Sequence, residues 1–433
     1  MRVGQIVIDI TPLRESRDFR RMYAGRFVSV AGTAVATTAA NWQVYGLTHH
    51  SLAVGLLNLT SGIGMLIGLM AGGMLADRHD RRKVLMVVLL PEALLAAGLA
   101  GNSLLGHPRL WLIFAITLAL GLLSGVGAPA STSATPALVG SARMPAAAAL
   151  NGMGGQLGSL GGPALAGYLI AAAWHGLMLC YGIDAVCFAV FAIALLAVRP
   201  LPPTVRAQRP GLRSLAEGFR YVRRNGVLGG MLLIDTNAMI FGMPAGLFPA
   251  LASAHFHGGP ATFGLLSAAP GFGAMVGAAT SGWTGRLRRP GIVIIGAGIV
   301  WGAAIVGFGL THSLPVALAF LALAGMGDLI SEVLRNTLLQ HYTPDALRGR
   351  VSSLYLAQVT TAPALGNTEA GAVAQLFSLT TSVVSGGLAC VGGALLLAAL
   401  IPALRHASLA GPAGGAEPPC SNGRAAHTAS PGR

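Results

Sequence analysis

Acidic side chains inside long apolar stretches are the residues of this sequence best suited to chemistry. Asp235, Asp328 and Glu332 each lie in a stretch that is long and apolar enough to cross a membrane. An ionisable group at the centre of a bilayer costs at least about 2.5–3.5 kcal/mol on insertion scales, which makes it a functional candidate. Arg335 follows Glu332 within one helical turn. We therefore take these four residues as candidates for proton coupling.

Two interpretations of this group remain open. Asp328 and Glu332 are four residues apart, so they share one helical face and repel each other unless a cation neutralises one of them. If Arg335 pairs with Glu332, Asp328 is the better proton carrier. Alternatively, Glu332 and Arg335 form a gate pair without a proton role. Two other intramembrane acids, Glu92 and Asp184, are expected to have structural partners.

The composition requires these residues to be positioned by membrane helices. Of the 433 residues, 54% are hydrophobic and only 10% are charged, whereas soluble proteins have about a quarter of their residues charged. A soluble globular enzyme is therefore excluded, and we predict an all-α membrane protein. Twelve stretches have the length of a membrane-spanning helix: they lie near 22–48, 52–76, 84–103, 110–137, 146–173, 177–198, 227–253, 261–285, 290–311, 314–341, 351–376 and 383–404.

The basic residues predict orientation and domain organisation. Arginines concentrate in every second loop. By the positive-inside rule, this places both termini on the cytoplasmic side of a cell inner membrane. Leu212, Leu215, Phe219 and Val222 share a helical face opposite three arginines, which predicts an interfacial amphipathic helix. The predicted parts are a cytoplasmic segment 1–21, a bundle 22–198, a linker 199–226, a second bundle 227–404 and a disordered cytoplasmic tail 405–433.

Several classes of function lack the residues they need. Lys83 is the only lysine and does not stand in a phosphate-binding loop, so any uphill movement by this chain must use an ion gradient. The four cysteines lack metal-ligand spacing, and the arginines lie in short loops, so we expect no metal, no cofactor and no nucleic acid partner. No catalytic constellation of His/Asp or Ser/His appears, although a lipid-modifying membrane enzyme remains a minor alternative.

The two halves of the sequence repeat each other. A shift of 209 positions aligns the second stretch with the eighth without a gap, and Gly55, Gly64 and Gly68 fall on Gly264, Gly273 and Gly277. Two halves of the same orientation indicate a parallel duplication, as in transporters built from two bundles around a central path. We therefore predict twelve transmembrane helices in two pseudo-symmetric six-helix bundles.

A motif at the end of the second stretch reads Gly73-Met-Leu-Ala-Asp77-Arg78-His-Asp-Arg81-Arg-Lys. It resembles the loop signature of the major facilitator superfamily. Within that superfamily, residues 19–405 resemble bacterial enterobactin (siderophore) exporters, through stretches such as Leu215-Ala-Glu-Gly-Phe-Arg and Arg348-Gly-Arg. Macrolide and multidrug exporters share several of these stretches.

The resemblance implies roles for particular residues. Gly73 would allow close helix packing, while Asp77, Arg78 and Arg81 would form a conformational latch with the other half. The corresponding position to Asp77 is Arg286, so the latch is expected on one side alone. The fifth stretch resembles the antiporter motif of drug/proton exporters through Gly158, Gly162, Pro163 and Gly167, although simple packing of small residues explains these equally well.

The fold of this superfamily places spans 1, 4, 7 and 10 along the transport path. Asn41 and Trp42 on span 1, and Asn237 and Phe241 on span 7, are therefore candidates to bind the substrate. Arg26 either attracts an anionic substrate or extends its charge to the membrane surface. We predict a monomeric, lipid-embedded exporter of a small-molecule siderophore, driven by protons through alternating access. The alternative is a multidrug or macrolide/proton antiporter.

Overall fold

The computed structural model describes residues 9–202 and 212–408, which are nearly all helical. Thirteen long helices follow one another along the chain: α1 (Arg17–Thr48), α2 (Ser51–Arg78), α3 (Arg81–Ser103), α4 (Leu110–Val139), α5 (Met144–Ala172), α6 (Gly176–Leu196), α7 (Leu212–Arg224), α8 (Gly226–Phe241), α9 (Pro260–Thr280), α10 (Pro290–Leu310), α11 (Leu314–Tyr342), α12 (Asp345–Leu376) and α13 (Leu379–Leu400).

Membrane crossing is supported by helix length and composition. Within the described residues, nine helical segments are long and apolar enough to cross a bilayer. Helices α1, α5 and α12 have 32, 29 and 32 residues, so they have the length to cross but are more polar than the nine. The all-α membrane fold is confirmed, while the number of twelve crossings stays a prediction.

The helices form two sets that repeat each other's packing. Helices α1–α6 pack together, and α8–α13 pack together. Within the first set, Gly64 on α2 faces the backbone carbonyl of Leu118 on α4; within the second, Gly273 on α9 faces the carbonyl of Ala322 on α11. These two glycines are a pair aligned by the sequence repeat, and both allow the close approach of helix backbones that small residues permit in membranes.

The two sets touch each other mainly at one end. We call the end with His50, His175 and His312 the His-rich end, and the end with Arg82, Arg143 and Arg199 the Arg-rich end. Helix α2 contacts α12, and α5 contacts α9. The glycines that mark these contacts lie toward the His-rich end, apart from Gly271 at the middle of α9: Gly55, Gly62, Gly167, Gly264 and Gly371.

Toward the other end, glycines of α2 and α5 have no close neighbour on another helix. A methyl group added to Gly73 on α2, or to Gly152 or Gly155 on α5, would meet no atom within 4 Å. These positions lie toward the Arg-rich end of their helices. The described residues therefore form a molecule that is closed at its His-rich end.

One predicted span, 227–253, lies within a candidate crossing at Gly226–His255, but its backbone is interrupted. The stretch 227–253 contains α8, which ends at Phe241, and then a 3₁₀ turn at Ala245–Leu247 and a wide π-helical turn at Leu251–His255. Pro244 cannot continue a helix because it has no backbone N–H. Trp301 Nε1 donates to the freed carbonyl of Gly242 at 2.6 Å. Irregular backbone at membrane depth is tolerated where protein groups satisfy it in this way.

The short helix α7 lies against the second set of helices. Glu217 forms an ion pair with Arg350 of α12, and Tyr221 Oη donates to the carbonyl of Tyr342 at 2.8 Å. Val222 is buried, but Phe219 is 57% exposed, so only part of the predicted apolar face packs on protein. The predicted contributions of Leu212 and Leu215 concern side chains outside the described set. Beyond α13, Leu404 and Ala407 are buried, and residues 409–433 of the predicted tail lie outside the described residues.

Candidate functional site

Arg335 lies at the centre of a buried charged cluster in the second set of helices. Its Nη1 atom is 2.9 Å from Asp235 Oδ1 on α8, and its Nη2 atom is 3.3 Å from Asp328 Oδ1 on α11. The side chain of Asp235 is 1% exposed and that of Arg335 is 5% exposed. The structure thus brings together residues about 100 positions apart in the sequence, which no spacing argument could pair.

The pairing differs from the sequence expectation for Glu332. Arg335 forms its ion pairs with Asp235 and Asp328, and no ion pair between Arg335 and Glu332 occurs in the described part of the chain. One turn of helix separates Glu332 from Asp328, and both line the same cavity. The expected Glu332–Arg335 gate pair is therefore not made in this conformation, because Asp235 on the neighbouring helix occupies the guanidinium.

Two neutral side chains fix this cluster in place. Ser331 Oγ accepts a hydrogen bond from Arg335 Nη1 at 2.9 Å, and Gln358 Nε2 of α12 donates to Asp235 Oδ2 at 3.0 Å. The same nitrogen of Gln358 donates to the carbonyl of Leu232, also at 3.0 Å. In the described part of the chain, Oδ2 of Asp235 thus accepts a hydrogen bond, whereas Oδ1 lies at ion-pair distance from Arg335 without accepting one. Sequence analysis missed Gln358, since a glutamine in a helix gives no signal for a partner on another helix.

The cluster carries an excess of negative charge. Three carboxylates and one guanidinium give a formal charge of −2 when all are ionised. In a medium of low dielectric such an excess is costly unless a proton or another cation binds. The arrangement can therefore take up a proton, or pair with a cationic group, at the point where Asp328 and Glu332 meet the cavity.

The cavity itself lies between the two sets of helices and has a volume of about 320 Å³. Thr38 and Asn41 of α1 and Gln156 and Ser159 of α5 line it on one side. The second set supplies Asp328, Glu332 and an apolar wall, to which these residues contribute: Met243, Phe248, Phe263, Trp301 and Leu321. Mostly apolar walls with a few polar groups are typical of small-molecule sites.

An aromatic contact joins the two sets of helices beside this cavity. Trp42 of α1 stacks on Phe263 of α9, with 5.5 Å between ring centroids. Asn41, its neighbour in sequence, lines the cavity and accepts a hydrogen bond from Asn58 at 3.2 Å. The two candidates therefore have different places: Asn41 faces the interior, and Trp42 joins the two sets of helices.

The remaining substrate candidates lie away from the described cavity lining. Asn237 Nδ2 donates to the carbonyl of Cys390 on α13 at 2.8 Å, which turns its amide toward the packing of α8 against α13. Phe241 is 38% exposed, and its carbonyl lies against Gly386 of α13. Arg26 is partly buried on α1 and has no ion pair among the described residues.

The loop motif has its acids in unequal positions. Asp80 caps helix α3 by accepting from the N–H of Arg82 at 2.8 Å, and its other oxygen accepts from Leu201 N–H at 3.0 Å. Asp77, which the resemblance singled out, has no ion-pair partner among the described residues. Arg78 is exposed at the end of α2, and Arg81 begins α3. The side chain of Arg286 is outside the described set.

The antiporter-like motif packs α5 against two other helices. Gly158 faces Val30 of α1, and Gly162 faces Ala34 of α1. Gly167 faces Gly264 of α9, which belongs to the other set. A methyl group added to Gly167 would lie 2.7 Å from the Cα atom of Gly264. Pro163 lies inside the helix, with its carbonyl toward Gly264. These small residues thus provide close helix contacts, including one between the two sets.

The two other intramembrane acids, Glu92 and Asp184, each accept a hydrogen bond from a hydroxyl group. Glu92 Oε1 accepts from Ser124 Oγ at 2.7 Å, and Thr33 Oγ1 donates to Asp184 Oδ1 at 3.3 Å. Both acids are 2% exposed. The structure therefore gives each of them a neutral partner on a neighbouring helix.

Comparison with known proteins gives one family. A family model described as a transmembrane secretion effector, within the major facilitator superfamily, matches residues 8–417. The chain is 34% identical over 405 residues to the enterobactin exporter EntS of Citrobacter koseri, covering 92% of this chain and 95% of that protein. It is 32% identical over 403 residues to the EntS of Escherichia coli K12, with the same coverage.

Solved structures share the fold at low sequence identity. A POT family transporter in complex with 5-aminolevulinic acid superposes with a TM-score of 0.74 at 12% identity, over 92% of this chain and 99% of that one. A bacterial homologue of the human lysosomal transporter Spinster, in an inward-facing and unoccupied conformation, gives a TM-score of 0.65 at 15% identity, over 90% of this chain and 95% of that one.

Proposed function

Because this chain belongs to the transmembrane secretion effector family of the major facilitator superfamily, we propose that it exports a siderophore of the enterobactin type. The observation that carries the proposal is the similarity to curated enterobactin exporters, which extends over 92% of the chain. Catechol rings suit a cavity with walls such as Phe263, Phe248 and Trp301, because aromatic rings stack favourably.

We propose that export is proton antiport by alternating access. The cluster of Asp235, Asp328, Glu332 and Arg335 is the proposed proton site, and it borders the substrate cavity through Asp328 and Glu332. A proton that neutralises Asp235 or Asp328 weakens the hold of Arg335 on that carboxylate. Since the same cluster joins α8, α11 and α12, its charge state influences how these helices pack.

The proposed orientation places the Arg-rich end on the cytoplasmic side of the bacterial inner membrane, in accord with the positive-inside rule. The conformation described above is then open toward the cytoplasm, where substrate enters, and closed outside by Trp42 and Phe263. Residues 22–198 and 227–404 are the proposed moving bundles, 199–226 their linker and 1–21 and 405–433 cytoplasmic segments. We propose a lipid-embedded monomer, in which Arg26, Asn41, Trp42, Asn237 and Phe241 remain candidates for substrate contact.

A direct export measurement tests the proposal. The chain is expressed in a strain that makes enterobactin but lacks its own exporter, and catecholate is measured inside and outside the cells. We expect extracellular enterobactin to rise severalfold, and to fall to the empty-vector level with Asp235→Asn at equal membrane abundance. Unchanged enterobactin together with increased resistance to a macrolide would instead favour the multidrug alternative.

A further inference from the structure

Helix α12 has contacts of two kinds that no motif in the sequence connects. Near its middle, Gln358 reaches the proposed proton site on α8, through Asp235 Oδ2 and the carbonyl of Leu232. Toward its His-rich end, the hydroxyl of Thr368 shares its one proton between the carbonyl of Gly55 on α2 at 3.1 Å and that of Ala364 on its own helix at 2.9 Å. Ten residues, about 15 Å of helix, separate Gln358 from Thr368.

The orientation of the Gln358 amide follows from its partners. Both groups that it contacts through Nε2 are oxygen acceptors, so the atom that faces them must be the nitrogen donor rather than the amide oxygen. A hydrogen bond to an ionised carboxylate is roughly twice as strong as one to a neutral group. The bond from Gln358 to Asp235 is therefore strong when Asp235 is ionised and weak when it carries a proton.

Every charged group near Asp235 belongs to the same side of the molecule. Arg335, Asp328 and Glu332 come from α11, and Tyr355, one turn before Gln358, comes from α12. Of these side chains, those on α11 belong to a helix that contacts α9 and α10 in its own set. Only α12 carries both a bond to Asp235 and a hydrogen bond to the first set, among the hydrogen bonds of the described residues.

We propose that Gln358 is a positioning residue that transmits the charge state of Asp235 to the contact between α12 and α2. When Asp235 is ionised, Gln358 holds the middle of α12 against α8, and the His-rich end of α12 rests on α2. When Asp235 is neutralised, this hold weakens and α12 is free to tilt away from α2. The inference deepens the proposed proton antiport and rests on it.

The contact that α12 makes with α2 fits such a role. Asn367 and Thr368 lie against Gly55, Ala364 lies against Gly62, and Gly371 lies against Leu52. These contacts involve backbone and methyl groups, so a small tilt separates them without any large side chain leaving a pocket. A change in the hydrogen bonds of Gln358 can therefore alter the contact between α12 and α2.

The test compares Gln358→Met with Thr361→Val in reconstituted vesicles. Methionine has a similar length but no donor, so the replacement removes both bonds with little change in shape. Thr361 lies one turn further on α12, and its hydroxyl donates to Ala357 of its own helix at 2.8 Å. We measure enterobactin transport against pH, with the pH gradient held constant.

We expect the pH midpoint of Gln358→Met to lie about one unit above that of the unchanged protein, because a charge-stabilising donor has been removed. Thr361→Val should keep the original midpoint. A Gln358→Met midpoint within roughly 0.2 pH units of the original, about the scatter of such profiles, would overturn the inference. If transport by the unchanged protein does not depend on pH, the proposed proton antiport is wrong, and the inference is wrong with it. This outcome differs from an unchanged midpoint in Gln358→Met.

A second measurement reads the helix movement directly. Labels on cysteines introduced at Met74 of α2 and Ser353 of α12, in a chain whose four native cysteines are replaced by alanine, report the separation of these helices near the Arg-rich end. The distance should change with pH in the parent chain, and Gln358→Met should remove at least about half of the full change, because protonation of Asp235 then no longer loosens a bond to α12. An undiminished change would contradict the proposed transmission.

Discussion

The indole of Trp42 on α1 stacks on the ring of Phe263 on α9, with 5.5 Å between centroids and 25° between the ring planes. These two residues belong to different sets of helices, and Phe263 is also part of the cavity wall. The contact is therefore a junction between the halves at the His-rich end, and one of its two rings also lines the cavity. Aromatic pairs of this kind contribute about 0.5–1.5 kcal/mol beyond their buried area.

The first prediction concerns this stack. Trp42→Ala should increase the population that is open at the His-rich end by roughly 2- to 10-fold, since the aromatic contribution is lost. The rate at which a membrane-impermeant thiol reagent modifies a cysteine introduced at Ser267, which lines the cavity, measures that population.

Phe263→Ala should give a similar effect, and the double variant little more than either single one. Trp174→Ala is the matched control, because Trp174 lies at the same end and is 95% exposed. Equal modification rates for Trp42→Ala and Trp174→Ala would mean that the stack does not hold the halves together.

The second prediction concerns the buried ion pair. Arg335→Gln leaves Asp235 and Asp328 without a counter-charge, and the loss of one partner of a buried pair costs about 3–5 kcal/mol. Thermal unfolding in detergent measures the loss. It should be larger at pH 8 than at pH 5, because protons neutralise the carboxylates at the lower pH and remove their repulsion.

Asp235→Asn combined with Arg335→Gln should recover part of the lost stability, since the strongest unpaired charge is gone. Asp345→Asn is the control: it removes an ion pair with Arg348 in which the aspartate is 87% exposed, and such surface pairs contribute about 0–1 kcal/mol. A double variant less stable than Arg335→Gln alone would contradict the assigned pairing.

The third prediction concerns the contact between α5 and α9. Gly167→Val places a Cβ atom 2.7 Å from Gly264 Cα and 2.7 Å from the carbonyl oxygen of Pro260, so the two helices must separate. We expect transport to fall at least about 10-fold, as for a change above 1.4 kcal/mol in the balance of conformations. Transport by proteoliposomes of equal protein content measures the effect.

Gly161→Val provides the comparison on the same helix. A methyl group at Gly161 meets no atom within 4 Å, so the variant should keep nearly full transport. If both valines were equally harmful, helix propensity rather than the contact between halves would explain the loss.

The fourth prediction concerns Asp77 in the loop motif. In this conformation Asp77 forms no ion pair among the described residues, and it does not line the cavity, so Asp77→Asn should leave substrate affinity unchanged. It should slow the transport cycle if Asp77 meets a helix N-terminus of the other half in the alternative conformation, where a carboxylate is favoured by about 0.3–1 kcal/mol. Binding titrations and turnover rates on the same preparation separate the two effects.

Asp80→Asn should behave differently, because Asp80 caps α3 and holds the N–H of Leu201. Its loss should lower thermal stability by about 1 kcal/mol. A normal turnover rate for Asp77→Asn would refute the latch.

The fold was accessible from sequence because its signals are local. The apolar stretches are recognised from neighbouring residues. The alternation of arginine-rich loops and the glycines repeated at a shift of 209 are recognised from regular spacing. Gly64 and Gly273, for example, occupy equivalent close contacts in the two sets, as their alignment indicated. The sequence analysis did not predict the end of the helix at Phe241, although Gly242 and Pro244 follow it. Hydropathy remains high across this point, so hydropathy alone does not reveal the interruption.

The site was accessible only in part, because its residues meet across helices. Asp235, Asp328 and Arg335 stood out as charges in apolar surroundings, but their pairing depends on the packing of α8 against α11. Gln358 and Phe263 have ordinary residue types for a membrane helix, so nothing in the sequence separates them from their neighbours. Asn237 shows the converse: a polar residue near Asp235 proved to bond the backbone of α13.

The glycine contacts between the two sets have a further consequence. At Gly55, Gly167 and Gly264 the opposing surfaces meet through main-chain atoms, without interlocking rotamers. Such surfaces can part and rejoin without side chains having to find their way back into specific sockets. The activation barrier for each reopening then reflects chiefly the aromatic stack and the entry of solvent and lipid, so the turnover rate should be more sensitive to membrane composition than to substitutions in lipid-facing helices.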